Sequence, residues 1–108
     1  MIKKYKWKKR LLISYFNDDE FHSFIKNQVN YYFQQNNQEI EERRLKYVVI
    51  TQDDFHLNQI QIFNKDTFGL YLIGLDGTVK GYSKDLKLLD SLLDIIDSMP
   101  MRKMDMKK

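Results

Sequence analysis

The chain has 108 residues, 43% of them hydrophobic and 31% charged, with a formal net charge of +3 at pH 7 and no cysteine. That length fits one domain, large enough to bury a core without disulfides or metal, and the composition excludes a disordered chain. Without a thiol, the chain cannot carry cysteine catalysis, disulfide exchange or a thiolate metal site.

In chain order, "MIKKYKWKKR" comes first, with six Lys or Arg and no acid. It reads as a basic arm over residues 1–6, a solvated terminus leading into a strand. The alternative is an arm for acidic lipid or a weak nucleic-acid contact through Tyr5 and Trp7, but a basic stretch without a groove-reading element is only an electrostatic footprint. Residues 10–16, "RLLISYF", form a nearly continuous apolar run and predict a strand buried on both faces. "NDDE" follows, where Asn17 or Asp18 can cap a helix and acids favour its positive end. Phe21, Phe24, Ile25, Val29, Tyr32 and Phe33 then recur at helical spacing. The helix is expected to loosen near residues 36–37 and to resume through "QEIEERR". "LKYVVITQ" is the second strand, and "DDFHLNQIQIFNKDT" a loop with a short helix over residues 57–64.

"FGLYLIG" and "TVKGYS" flank "LDG", which predicts a β-hairpin with Asp76 and Gly77 in a type I′ turn. Ser83 or Asp85 caps a last helix whose stripe is Leu86, Leu89, Leu93 and Ile96, with Leu92 and Met99 beside it. Pro100, the only proline, disfavours helical geometry before it, so this helix should stop at Ser98 or Met99. The alternation of Met99 and Met101 suits an extended segment lying against the domain. Asp97 through Met101 are expected to be packed, Arg102 to be fixed by an acid or a carbonyl, and residues 107–108 to form a loose tail. The order β-α-β-α-β-β-α predicts a single α/β domain over 1–108, thioredoxin-like, with a mixed four-stranded sheet and helices on both faces.

Three stretches, "WKKRLLISY", "IEERRLKYVVIT" and "LYLIGLDGTVKGYSKDL" followed by "IIDSMPMRKMDM", resemble a DUDES domain. This is a domain of unknown function found singly in bacteria and within extracellular animal proteins such as equarin, Urb and the sushi-repeat proteins. The resemblance covers residues 7–106, with the "IDSMPMR" ending its most specific part. It implies a thioredoxin-like fold, a binding or matrix-type role in the animal relatives, frequent export in bacteria, and no reaction. Leu75 stands where the hairpin often has a lysine, and Arg44 where an acid often follows the arginine matching Arg43.

A thioredoxin-type enzyme needs a thiolate where the first helix begins and a cis-proline before the third strand. Here those places read "YFNDDEFHSF" and "KDTFGLYL", without cysteine or proline. Two carboxylate–histidine clusters remain, Asp18, Asp19 and His22, and Asp53, Asp54 and His56. They would serve a metal or an enzyme of unknown reaction if the fold joined them, although neither has a strong ligand spacing. Otherwise they are helix-capping acids and surface histidines. Arg10, Arg43, Lys80, Met101 and Arg102 form the candidate partner-binding set. The competing role of the arginines is to pair with Asp97, Glu42 or helix-end carbonyls. Asp76, Gly77, Asp97 and Pro100 are candidate turn and cap residues.

The favoured function is a redox-inactive binding module without cofactor, for a protein or an anionic polymer. The hairpin edge and the Met/Arg tail would be its contact surfaces. No run reaches the ~18 apolar residues of a membrane-spanning helix. "LLISYF" is followed by acids rather than a cleavage site, so the sequence as it stands reads as cytoplasmic. An exported domain whose signal had been removed would look the same.

Overall fold

The computed structural model describes residues 2–57 and 66–106. Four strands form one mixed sheet in the order β2-β1-β3-β4, the thioredoxin-like arrangement. They are β1 (Arg10–Tyr15), β2 (Leu45–Ile50), β3 (Gly69–Ile73) and β4 (Val79–Ser83). β1 runs parallel to β2 and antiparallel to β3, and β3 pairs antiparallel with β4. The connection from β2 therefore delivers β3 antiparallel to its neighbour β1, not parallel as two successive strand–helix–strand units would. β1 is buried at every residue, as its unbroken apolar run predicts for a central strand with covered faces. Its alternation divides the core in two. Leu12 joins Leu70 and Leu72 under α1 (Asp19–Gln35) and α4 (Lys87–Asp97), whereas Leu11, Ile13 and Tyr15 join Ile50, Tyr71 and Ile73 on the opposite face.

Asp18 is the N-cap of α1 and accepts from the Phe21 amide at 2.9 Å. Asp19 and Glu20 add negative charge at the positive helix end. The buried stripe is His22, Ile25 and Val29. Phe21 and Phe24, expected inside, are 39% and 50% exposed. Positions 22, 25 and 29 share one face at 3.6 residues per turn, and the two phenylalanines fall beside it. The helix breaks at Asn36, and α2 (Asn37–Glu42) resumes with Ile40 buried. Arg44 then takes a left-handed backbone, φ 52°, at a position after a helix where glycine is usual. Its carbonyl receives the Arg10 amide at 2.8 Å, joining the end of α2 to the start of β1.

After β2, Thr51 and Asp54 cap α3 (Gln52–Leu57) reciprocally. The Thr51 amide donates to the Asp54 carboxylate, and the Asp54 amide donates to the Thr51 hydroxyl. The described helix thus begins earlier than the expected span 57–64, of which residues 58–64 lie outside the described residues.

The hairpin forms as expected, but its turn is not type I′. The Gly77 amide donates to the Gly74 carbonyl and the Gly74 amide to the Thr78 carbonyl. Only Gly77 is left-handed, at φ 82°. This is a three-residue loop ending in a left-handed glycine, so Asp76 keeps its ordinary backbone. A bulge follows: Leu72 pairs with Gly81 but Ile73 with Val79, leaving Lys80 as the extra residue. Asp85 and Ser83 accept the Lys87 and Leu88 amides, so both expected caps serve the start of α4. Leu88, Leu92 and Ile96 are the buried line of α4, continued by Met99, with Leu86, Leu89 and Leu93 at its margins.

Pro100 does not lead into an extended segment. It opens α5 (Pro100–Met106), in the first-turn position where its missing N–H costs nothing. Met99, 8% exposed, is core, while Met101 stands 40% exposed on the new helix. In the basic segment Ile2–Tyr5 form a 3-10 turn, and the Trp7 amide donates to the Leu75 carbonyl at 2.7 Å, so the segment is tied to the hairpin turn.

Two glycines differ in what they demand: Gly69, φ 156°, is constrained by space as well as by backbone, Gly77 by backbone alone. A Cβ on Gly69 would lie 2.3 Å from the Ser83 carbonyl oxygen, inside the β3–β4 pairing, whereas one on Gly77 would meet only the Lys6 side chain at 3.6 Å. Gly69→Ala is expected to cost about 2 kcal/mol of unfolding free energy, as overpacking does. Gly77→Ala should cost about 1 kcal/mol, from its left-handed backbone. Denaturant unfolding of the two variants checks the order.

Candidate functional site

Arg43, at the end of α2, points across the molecule to Asp97, the last residue of α4. Its Nε and Nη2 donate to the two carboxylate oxygens at 3.0 and 2.9 Å, a bidentate fork, and Nη1 donates to the Glu39 carbonyl at 2.9 Å. Arg102, on α5, donates from Nε to the same carboxylate at 3.2 Å and reaches the Glu42 carbonyl at 3.5 Å. Both arginine side chains are 11% exposed and the Asp97 side chain 33%. One carboxylate therefore ties the α4–α5 joint to the end of α2. The Arg43 guanidinium holds the Asp97 carboxyl below its usual range, with Arg102 adding to the effect. Arg43 is in turn held more firmly charged by that hydrogen bond. Arg10, wholly buried at the start of β1, donates from Nη1 to the Arg43 carbonyl at 2.8 Å.

Beside this network lies a cleft of about 360 Å³ between the hairpin turn and the α4–α5 joint. Arg10, Asp76 and Lys80 are its charged lining residues, and Leu75, Ile95, Met99 and Met101 its apolar ones, with Pro100 at the joint. Asp76 accepts from the Thr78 amide and hydroxyl at 3.0 and 2.8 Å and from Lys80 Nζ at 3.1 Å. The Thr78 hydrogen bonds, amide first, hold its carboxyl down at about 2, and Lys80 adds to them. Asp76 thus stays charged and balances Lys80; Arg10, the other cation lining the cleft, is wholly buried and donates to the Arg43 carbonyl.

The sequence-derived set is therefore gathered at one corner. Arg10, Lys80, Met101, Asp76 and Pro100 line the cleft, Gly77 shapes its turn, and Arg43, Arg102 and Asp97 form the clamp behind it.

At the start of α1, where a thioredoxin-type enzyme keeps its thiol, Asp18, Asp19, Glu20 and Phe21 are exposed and His22 alone turns inward. His22 is 6% exposed, and its Nε2 lies 2.8 Å from the Ser14 hydroxyl, which lies 2.7 Å from the Tyr47 hydroxyl. Ser14 and Tyr47 carry no sequence signal, because only the parallel pairing of β1 and β2 brings them together. Asp18 is engaged as a helix cap, and its neighbour Asp19 opens the helix. Asp54 is engaged with Thr51, next to Asp53, while the His56 side chain lies outside the described residues. Among the described residues, no group of three or more His, Asp and Glu stands close enough to hold a metal ion. No helix among them is long and apolar enough to cross a membrane.

Replacing Asp97 by Asn strands two largely buried guanidinium groups and is expected to cost about 2 kcal/mol of stability. Thermal and denaturant unfolding measure it. Burial lowers the His22 pKa, with Lys26 adding to the effect and Asp19 opposing it. A folded-state value below the unfolded one of about 6.5 means that the unfolded chain binds the extra proton first as pH falls. Stability is then lost below about pH 6.5. The melting temperature is expected to drop between pH 7 and pH 5.5 in the wild type and to drop less in His22→Gln.

No curated protein and no solved structure matches the chain significantly. A family model described as a domain of unknown function (DUF4174) matches residues 1–105, nearly the whole chain with its corner cleft, clamp and sheet, and the protein belongs to that family.

Proposed function

We propose that the chain is a redox-inactive, DUDES-type binding module whose corner cleft takes an acidic group of a protein or an anionic polymer. The observation that carries this reading is that Arg10, Lys80 and Met101, far apart in sequence, line one open cleft beside a braced joint. The exposed Lys80 ammonium is shared with Asp76 and could turn to a partner's acid, and the apolar walls would exclude water from an ion pair formed there. Met101 is exposed on the wall and unbranched, so it can adapt to different partner shapes. Disulfide exchange is closed to this chain because the reagent, a thiolate, is absent.

The probes are short dextran sulfate chains and poly-glutamate, titrated into the labelled protein and followed by amide chemical shifts. Perturbations are expected in residues 74–80 and 95–101. Lys80→Ala should weaken binding about tenfold, the size of one charge-assisted contact. Shifts confined to other surfaces, or full affinity in a folded Lys80→Ala/Met101→Ala double variant, would overturn the reading.

A further inference from the structure

The only tryptophan of the chain, Trp7, is 56% exposed. A large aromatic is ordinarily drawn inward, yet here the backbone adopts a left-handed conformation, φ 68°, that disfavours it. The strain is fixed by local bonds. The Lys8 and Lys9 amides both donate to the Tyr5 carbonyl at 2.8 Å, and the Trp7 amide is bound to Leu75. Trp7 is thus presented on a built knob.

Its surroundings are cationic. Lys4, Lys6, Lys8 and Lys9 are all exposed. The Lys6 ammonium lies 5.9 Å from the centre of the Trp7 ring, and those of Lys4 and Lys46 lie 5.1 and 5.9 Å from that of Tyr5. No acid occurs in the first ten residues. The acid of the neighbouring turn, Asp76, is already engaged by Thr78 and Lys80.

We propose that this knob docks on an anionic lipid surface. Tryptophan suits the boundary between headgroups and acyl chains, being apolar in body with one N–H to satisfy. Lysines beside it gain from a negative surface within a Debye length. Single-stranded nucleic acid is matched less well, because it favours a succession of stacking rings. Here Tyr5 is half-buried against the core, so Trp7 is the one fully presented ring of the segment. The knob adjoins the hairpin turn through the Trp7–Leu75 bond, but Trp7 and its lysines do not line the corner cleft, and each surface can fail without the other.

A single tryptophan makes its fluorescence a direct reporter. Vesicles of phosphatidylcholine and phosphatidylglycerol in equal parts, at low salt, should shift the emission to the blue and carry the protein down on sedimentation. Phosphatidylcholine vesicles should do neither. Brominated lipid should quench the emission. The Lys6→Gln/Lys8→Gln/Lys9→Gln variant should partition about a hundredfold more weakly, roughly fivefold per lysine. Trp7→Ala, checked for folding by its melting curve, should sediment with vesicles far less. Absence of binding to anionic vesicles, or unchanged sedimentation of Trp7→Ala, overturns the proposal. Quenching by oligo-dT without any vesicle binding overturns it too, in favour of nucleic acid.

Discussion

A single carboxylate, Asp97, ties the α4–α5 joint to the end of α2, 54 positions away in sequence. Arg43 approaches it from the end of α2 and Arg102 from α5, so two cations share one acid at the place where α4 gives way to α5. Such pairs contribute little on an open surface, but here the guanidinium groups are almost wholly covered. Removing the acid would leave positive charge without its partner. The clamp holds α5 against the end of α2, and with it the wall of the cleft that Pro100 and Met101 line. The Arg43 backbone carbonyl also accepts from the buried Arg10, so the clamp and the first strand are parts of one network.

The fold normally concentrates its chemistry where the first strand hands over to the first helix. In this chain that junction holds no thiol, and its histidine is buried. His22 points inward to Ser14 and Tyr47, and Asp18 is spent on capping. Openings and charge lie at the opposite kind of feature, the hairpin turn and the last helical joint. The hairpin is shaped for this by its left-handed Gly77 and by the bulge that makes Lys80 an unmatched residue of β4. With the bulge, Lys80 lies within reach of Asp76 and lines the cleft.

Much of the architecture was legible in the residues. The continuous apolar run of β1 announced a central strand, Asp18 a helix start, and Asp76–Gly77 a hairpin. Among the features that were misread, three have a plain physical reason. Phe21 and Phe24 are more apolar than His22, yet helical phase puts His22 inside, where a hydroxyl partner makes its burial tolerable. Pro100 blocks helical geometry before itself but favours a helix after itself, so the same residue that ends α4 starts α5. The turn type depends on whether one residue or two adopt positive φ, and "DG" is compatible with either loop. The candidate cations were legible as a set, but their division between clamp and cleft was not.

Local constraints that act over a few residues were written in the sequence: capping, the left-handed glycine, the buried run of β1 and the lack of any thiol. These follow from backbone sterics and side-chain chemistry, which do not need the rest of the chain. Tertiary structure decided the long-range meetings. Arg43 reaches Asp97 54 positions away, Ser14 reaches Tyr47 33 positions away, and Trp7 is bound to the turn at Leu75. Such contacts arise because strand register and helix packing fix distances between elements. A charged or polar residue shows in sequence what it can bind, while its partner is chosen by where the fold sets it down.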